Sequence, residues 1–238
     1  MALLLIPFGV VFVILAAVIW QMRVRGQREA HIRTFTLPKG LYDKLRAKHP
    51  DLTLKDCQLV AQGLRQFFLT YLKSGRQYVS MPSQVVDDLW HEFILYTKNY
   101  QLFCEKSFGR FLHHTPAAVM SSSTQSNAGL RRCWWHACRE ENINPAKPTR
   151  LPLLFALDTK LNIPNGFRYA ADCGVARLQG AGTAAAGAGV IYCGGDFSST
   201  SVDGGTDGFG DSGGSDGGSD SGDGSSGCGG GCGGGGGD

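Results

Sequence analysis

The sequence lacks the short motifs that mark the commonest catalytic sites. It contains no glycine-rich phosphate loop, no nucleophile elbow and no HExxH metalloprotease motif. None of its eight cysteines forms a CxxC pair, and no lysine or arginine follows Arg177. These absences argue against a P-loop nucleotide hydrolase, an α/β-hydrolase and an HExxH protease. They also leave a C-terminal region whose only charge is acidic.

Glycine dominates this C-terminal region. Residues 194–238 contain 21 of the 34 glycines, and their only charged residues are eight aspartates. Such a composition cannot bury enough surface to offset its ordering entropy. We therefore expect 194–238 to be a disordered glycine-rich acidic tail, joined through a small-residue linker at 176–193. The rest of the chain is basic and gives the protein its net charge of +3, which suggests an anionic partner or masking by the tail.

The N-terminal segment 2–20 contains no charged residue. As a helix it spans about 28 Å, close to the ~30 Å hydrocarbon core of a bilayer. Trp20 stands where an interfacial aromatic residue is expected. A cleaved signal peptide is the alternative, but no basic residue precedes the apolar run and no small-residue cleavage site follows it. The sequence therefore predicts a single-pass transmembrane helix.

A basic juxtamembrane segment, 21–35, follows this anchor. It contains Arg23, Arg25, Arg28 and Arg33, whereas only the α-amino group lies on the other side. The positive-inside rule predicts an N-terminus outside and a cytoplasmic domain and tail, at a plasma (inner) membrane. The same arginines are candidates for contact with anionic headgroups. In a reducing cytoplasm the cysteines are expected to be free thiols.

The body of the chain, 36–175, has the periodicity of a mostly α domain with short extended segments. A short helix is predicted at 41–48, and an amphipathic helix after the capping box formed by Thr53 and Asp56. One continuous helix is predicted from about 84 to about 106. Two of its faces are apolar, so we expect it to be buried at the centre of the domain.

Further signals follow this central helix. Residues 121–127 are polar and are expected to form a loop. A core-facing helical stripe then recurs at the i, i+3, i+4, i+7 and i+8 positions, which are Leu130, Cys133, Trp134, Ala137 and Cys138. The apolar run at 151–157 and the alternation at Phe167 and Tyr169 predict short strands or extended segments packed on the helices.

A candidate metal site lies on the central helix. Asp87 and His91 are four residues apart, so they share one face. His113 and His114 are candidate nitrogen ligands for a zinc or iron ion. Cys104, a candidate sulfur ligand, lies about 20 Å from His91 along a continuous helix and is excluded. The same geometry excludes His113 unless the helix stops early. The alternative is a structural pair in which a buried His91 is hydrogen-bonded to Asp87.

Several sequence blocks in the body form a distinctive combination. They are VDDLWHEFIL at 86–95, YQLFC at 100–104, GRFLHHTP at 109–116, LPLLFALD at 151–158 and IPNGFRY at 163–169. Together they resemble the bacterial glycine-rich domain-containing proteins and, more distantly, the plant glycine-rich domain proteins. The resemblance covers about residues 36–173 and the kind of tail. It implies one intact domain and neither an activity nor a ligand role for His91.

Three functions are compatible with the sequence. The first is a membrane-tethered, non-enzymatic interaction or scaffold protein with an unidentified protein partner, favoured by the anchor, the tail and the lack of catalytic motifs. The second is a metal-binding protein or metal-dependent enzyme that uses the cluster Asp87, His91, His113 and His114. The third is electrostatic binding of RNA or anionic lipid by the basic body, with an affinity that falls steeply with salt.

Overall fold

The computed structural model describes residues 2–114, 123–171, 191–193 and 197. Within these residues the chain is mostly helical, as the sequence predicts. The predicted linker and tail lie outside the described residues, apart from one short strand and Phe197. The elements are α1 Ala2–Thr34, α2 Leu41–Lys48, α3 Leu54–Lys73, α4 Gln84–Leu95, α5 Thr97–Phe108, α6 Ser123–Glu140, α7 Leu153–Lys160, β1 Arg168–Ala170 and β2 Ile191–Cys193.

Helix α1 is long enough both to expose an apolar segment and to contribute its C-terminal end to the core of the domain. Its 33 residues extend about 50 Å. The apolar side chains from Val10 to Met22 are exposed, and Phe12 has 72% of its surface open to solvent. The segment 21–34, predicted as a juxtamembrane region, continues the same helix and enters the domain, where Ile32 is fully buried. Among the residues that the structure describes, α1 is the one helix that is long and apolar enough to cross a membrane, and its C-terminal end belongs to the core.

Helices α2 and α3 follow their local sequence signals. The bounds of α2 agree with the predicted 41–48. The capping box of α3 is confirmed, because the Asp56 backbone N–H donates to the Thr53 hydroxyl at 3.2 Å and the Thr53 N–H donates to the Asp56 carboxylate at 2.9 Å. Such a cap satisfies two N–H groups that the helix itself leaves without partners.

The prediction of one central helix from 84 to 106 is wrong. The helix is interrupted at Tyr96, whose ψ angle of 61° is not helical, so that α4 ends before this residue and α5 begins after it. In a continuous helix Phe93 and Phe103 would be about 15 Å apart along the axis. In the structure their ring centroids are 5.5 Å apart. The interruption therefore lets the apolar faces of α4 and α5 pack into one core. The stabilisation comes from contacts between the two helices, so the local sequence does not indicate it.

The second apolar face predicted for the central helix is also wrong. Leu95 has 71% of its surface exposed, and Leu102 is exposed as well. Ile94 is only partly buried. His91 is exposed rather than buried. The face that is buried contains the other predicted residues, namely Val86, Trp90, Phe93, Tyr100 and Cys104.

Two segments that were predicted as non-helical are helices. Helix α6 begins at Ser123, inside the expected loop 121–127, whose first two residues lie outside the described part. The run 151–157 lies largely in α7. There the Leu153 N–H donates to Glu141 Oε1 at 2.5 Å and the Leu154 N–H donates to Gln66 Oε1 at 2.8 Å. Distant side chains thus satisfy the first N–H groups of α7, which the local sequence could not indicate.

The remaining elements close one side of the core. The predicted α6 stripe is confirmed, with Cys133, Trp134, Ala137 and Cys138 buried and Leu130 partly buried. Strand β1, predicted around Tyr169, pairs in parallel with β2. The rings of Trp134, Phe155, Tyr169 and Phe197 then pack against one another.

Candidate functional site

The candidate site brings together side chains from α4 and from the segment after α5. Asp87 and His91 occupy one face of α4, as their spacing predicts. The segment 111–114 returns from the end of α5 and places His114 beside them. The early end of α4 makes this return possible. The helix does stop early, which was the condition set for His113, but it is His114 that reaches Asp87 and His91.

The ligand atoms of Asp87, His91 and His114 lie within 4.8 Å of one another. His114 Nε2 is 2.9 Å from Asp87 Oδ1, and His91 Nδ1 is 3.3 Å from Asp87 Oδ2. The two imidazole ring centroids are 4.1 Å apart. One carboxylate thus contacts two histidines from separate parts of the chain. The three side chains therefore form one cluster in place of an isolated His91–Asp87 pair.

A hydrogen bond to the backbone orients His91. Its Nδ1 lies 2.9 Å from the Asp87 carbonyl oxygen. A carbonyl oxygen only accepts, so Nδ1–H is the donor and Nε2 of the neutral ring carries the free electron pair. Histidine ligands of metals are commonly held in this way through their second nitrogen. The bond therefore fixes the orientation of the His91 ring, with Nδ1 on the side of the Asp87 carboxylate.

A network of buried groups holds His114. The Tyr100 hydroxyl donates to the Leu112 carbonyl at 2.5 Å and accepts from Trp90 Nε1 at 3.2 Å. Burial raises the pKa of Tyr100, so the hydroxyl keeps its proton. The Trp90 ring also meets the His114 ring edge-on at 4.6 Å. Tyr100 thereby joins α4, α5 and the 111–114 segment, which fixes the position of His114.

The other residues considered as ligands, His113 and the already excluded Cys104, lie elsewhere. His113 is exposed and its ring packs on Phe111, with centroids 4.8 Å apart. Cys104 is fully buried, and burial raises the pKa of its thiol. A protonated thiol in the core is a poor metal ligand, because metals bind the thiolate. Among the described residues the cluster consists of Asp87, His91 and His114.

The site is open on one side. The side chain of His91 has 48% of its surface exposed, whereas that of His114 has 11% exposed. Two nitrogens and one carboxylate with an open position form a donor set used by zinc sites and by non-haem iron sites. Metal bonds of ~2.0–2.2 Å would bring the ligand atoms to about 3.3 Å from one another.

The next residue along α4, Asp88, forms a second charged cluster that the sequence did not reveal. Asp88 is buried, its Oδ2 lies 2.8 Å from His49 Nε2, and it accepts hydrogen bonds from Lys48 and Gln84. Burial opposes its ionisation, but the hydrogen bonds from Lys48 and His49 outweigh burial and lower the pKa of Asp88. The only available signal was an acidic residue within a core-facing helical stretch.

A third aspartate, Asp158, holds the start of α4 from another element. Its carboxylate accepts hydrogen bonds from the Ser83 hydroxyl at 2.7 Å and from the Gln84 N–H at 2.7 Å. It also accepts from the N–H groups of Val85 and Phe167. Negative charge is favourable at a helix N-terminus, so Asp158 fixes the helix that carries Asp87 and His91.

The predicted membrane-facing arginines have different surroundings. Arg23 and Arg25 are exposed on α1. The guanidinium of Arg28 lies against Gly109. Arg33 pairs with Glu29 at 2.7 Å and also with Glu140, two contacts within the domain. Arg33 therefore helps to join α1 to α6. It lies farther along α1 from the apolar segment than the other three arginines do.

The sequence model of the UCP032817-like family matches residues 27–197. This match covers more than half of the chain, so the chain belongs to that family. No curated protein and no solved structure matches it. The matched region contains the whole Asp87–His91–His114 cluster and the core-facing end of α1, and it begins after the exposed apolar end.

Proposed function

We propose that this protein is a membrane-anchored metal-binding protein that holds one zinc or iron ion through Asp87, His91 and His114. The observation that carries the proposal is the convergence of three ligand atoms within 4.8 Å. Two of them come from α4, and the third comes from a segment that is folded back over it. A buried network around Tyr100 positions that segment, so the donor set is held in place before a metal arrives.

The exposure of His91 favours a metal over a purely structural pair. A buried polar group needs a partner to compensate for lost hydration, whereas a half-exposed imidazole can bond to water. His91 is nevertheless oriented by its backbone hydrogen bond, with an open side next to it. Three protein ligands and a free position are typical of metal sites that bind a water molecule or a substrate. A resident metal at this position would supply Lewis-acid chemistry.

The exposed apolar part of α1 supports the membrane anchor. The exposed, mostly apolar side chains of residues 10–22 are costly in water and favourable in a bilayer, and the sequence is free of charged residues back to residue 2. The flanking arginines favour an N-terminus outside and a cytoplasmic domain at the plasma (inner) membrane. Four described cysteines, Cys57, Cys104, Cys133 and Cys138, are free thiols, a state that a reducing compartment would maintain.

The other predictions from the sequence remain predictions. They are a non-enzymatic interaction or scaffold role, binding of RNA or lipid by the basic body, and the resemblance to glycine-rich domain-containing proteins. A scaffold role and a metal site are compatible, because an ion can also stabilise a binding surface.

Metal content of the full-length chain in detergent tests the proposal. The tail cysteines Cys228 and Cys232 are replaced by serine, so that they contribute no metal. After incubation with zinc or ferrous iron and removal of the excess, we expect about one ion per chain. His91→Ala and Asp87→Asn should weaken binding by at least ~10–100-fold, since even the loss of a group that supports a ligand has an effect of that size.

His113→Ala is the matched control, because it removes a neighbouring imidazole that lies outside the cluster. We expect this variant to retain the ion. Failure of the parent protein to hold either metal would refute the proposal, as would equal metal content in the parent and in His91→Ala.

A further inference from the structure

Helices α3 and α5 both end on the side of the domain where α1 enters. Along α3, Arg65 donates to the Phe35 carbonyl at 3.0 Å, and Lys73 lies 3.3 Å from Glu29. Along α5, the Phe103 ring packs on Phe35 at 4.7 Å, and Gly109 meets Arg28. Both helices therefore run antiparallel to α1. The turns that follow them face the apolar end of α1.

Three arginines meet at these turns. Arg76 donates to the Phe108 carbonyl at 3.0 Å, and Arg110 donates to the Arg76 carbonyl and, at 2.8 Å, to the Tyr71 hydroxyl. The Arg28 guanidinium lies so close to Gly109 that a Cβ there would be 2.5 Å from its terminal nitrogen. Gly109 has a φ of 71°, which also favours glycine.

No carboxylate in the described part of the chain forms an ion pair with Arg28, Arg76 or Arg110. Other cations at the same junction, Arg33 and Lys73, pair with Glu29 and Glu140. The three arginines use some N–H groups on carbonyls and a hydroxyl, but their positive charge is not neutralised. We call these three residues the Gly109 arginine cluster.

The Gly109 arginine cluster lies close enough to the bilayer for electrostatic contact with its headgroups. Arg28 is eight residues beyond Trp20, so it lies about 12 Å along the axis of α1. The headgroup layer adds about 5–8 Å beyond the hydrocarbon core, and charges remain effective over a Debye length of about 8 Å. Arg28 therefore lies within about one Debye length of the headgroup layer. Phe111, two residues after Gly109, is an exposed aromatic residue on the same turn.

The basic residues around α2 lie at the opposite end of the domain. This helix follows Phe35, about 20 Å along α1 from Trp20. The Tyr96 hydroxyl donates to the Lys39 carbonyl at 3.3 Å, which places the break between α4 and α5 at that end. Lys39, Lys44 and Lys55 are exposed there. These three lysines carry the same total charge as the three arginines but lie at the other end of the domain.

We propose that the Gly109 arginine cluster, Arg28, Arg76 and Arg110, binds the phosphates of anionic lipids in the bilayer that holds α1. Binding fixes the α3 and α5 ends of the domain against the membrane surface. This inference rests on the membrane anchor of the proposed function and is independent of the metal site. The contact does not require a lipid acyl chain to enter the domain, because the arginines bind the charged headgroups electrostatically.

Hydrogen exchange of the full-length protein in lipid nanodiscs tests the inference. We compare discs of phosphatidylcholine alone with discs that also contain phosphatidylglycerol. Amides of peptides that span residues 105–114 should exchange at least about fivefold more slowly with the anionic lipid, as expected for three basic groups near a charged surface. Added salt should remove the difference. The salt titration needs no variant, so it does not depend on the folding of mutants.

Matched charge variants locate the effect. The triple variant Arg28→Gln, Arg76→Gln, Arg110→Gln should lose the protection, whereas Lys39→Gln, Lys44→Gln, Lys55→Gln should keep it. Equal exchange in both lipids, or loss of protection in the lysine variant alone, would overturn the inference. So would equal protection by inorganic phosphate in lipid-free detergent, because that identifies a soluble anion as the ligand. A chain that does not enter the discs refutes the anchor, and the metal content of the same samples reports separately on the metal site.

Discussion

Asp87 and Asp88 are consecutive residues of α4 with opposite surroundings. Asp88 has 3% of its side-chain surface exposed and contacts a lysine, a histidine and a glutamine. Asp87 is partly exposed and contacts two histidines. Both carboxylates contact imidazole, but among the described residues only Asp88 has a permanent cation beside it. The difference shows how one helix supplies a structural tie on one side and a candidate ligand set on the other.

The cation decides which role each aspartate can take. Lys48 neutralises Asp88 inside the domain, and the pair ties α2 to α4. A metal ion at Asp88 would have to displace Lys48, which already neutralises the carboxylate. Around Asp87 the partners are imidazoles, which can exchange a proton for a metal ion. We expect loss of Asp88 to affect folding, and loss of Asp87 to affect ligand binding.

Replacement of Asp88 by alanine should have the largest effect on stability. The change leaves His49 and Gln84 without their partner and removes the tie to Lys48, so the free energy of unfolding should fall by about 2–4 kcal/mol. Denaturant unfolding of the protein in detergent measures it. Asp87→Ala is the matched control and should cost about 1 kcal/mol or less. Similar losses in the two variants would contradict the comparison.

Zinc should stabilise the protein only through the Asp87 side of α4. At a free concentration 100 times the Kd, a ligand that binds the folded state alone adds about 2.7 kcal/mol. We expect the Tm to rise on zinc addition in the Cys228→Ser, Cys232→Ser background and in Asp88→Asn. Asp87→Asn should show no rise. A zinc-dependent rise that survives Asp87→Asn would assign the metal to another site.

Acid should weaken the Asp88 tie. The folded pKa of Asp88 is lowered from its usual value near 3.8, because the hydrogen bonds from Lys48 and His49 outweigh its burial. Below that value the unfolded chain binds the proton more readily than the folded one. The contribution of Asp88 is therefore present above about pH 4 and is lost as the pH falls through the folded pKa.

The free energy of unfolding of the parent protein should therefore decrease more steeply between about pH 5 and pH 2 than that of Asp88→Asn. The change should be smaller than for Asp88→Ala, since a protonated carboxyl still accepts hydrogen bonds. Parallel pH curves for the two proteins would show that Asp88 is not held as an ion.

Tyr100→Phe should have the smallest effect on stability and a selective effect on metal binding. It removes the bond to the Leu112 carbonyl and should cost about 1 kcal/mol. Because that bond positions His114, the Kd for zinc should rise by about tenfold. Tyr96→Phe, which removes another tyrosine hydroxyl that bonds to a carbonyl, is the control. Equal Kd values for both variants would separate Tyr100 from the site.

The extent to which the sequence predicted the fold depends on where the stabilising contacts come from. The capping box of α3 and the stripe of α6 are local patterns, and both were found. The first turn of α7 relies on Gln66 and Glu141, far away in sequence, and it was mistaken for an extended segment. The break at Tyr96 is stabilised by the packing of Phe93 on Phe103 and carries no proline or glycine signal.

The candidate site shows the same division. The spacing of Asp87 and His91 placed both on one helical face, and His114 was named as a possible third ligand. Its approach depended on the early end of α4, so the sequence alone favoured a structural pair. Asp88 and Asp158 were missed because their partners come from α2, from Ser83 and from the turn before β1. Only the folded chain brings these groups into contact.

The sequence by itself determined that this protein has an exposed apolar helix, a mostly helical domain and a set of Asp and His candidates, because those features follow from periodicity and composition within one segment. The tertiary structure decided which histidine meets Asp87, which aspartate is neutralised, and which basic residues face the apolar end of α1. These outcomes depend on how helices pack. A difference of one residue along α4, between Asp87 and Asp88, rotates a side chain by about 100° and changes every partner it can reach.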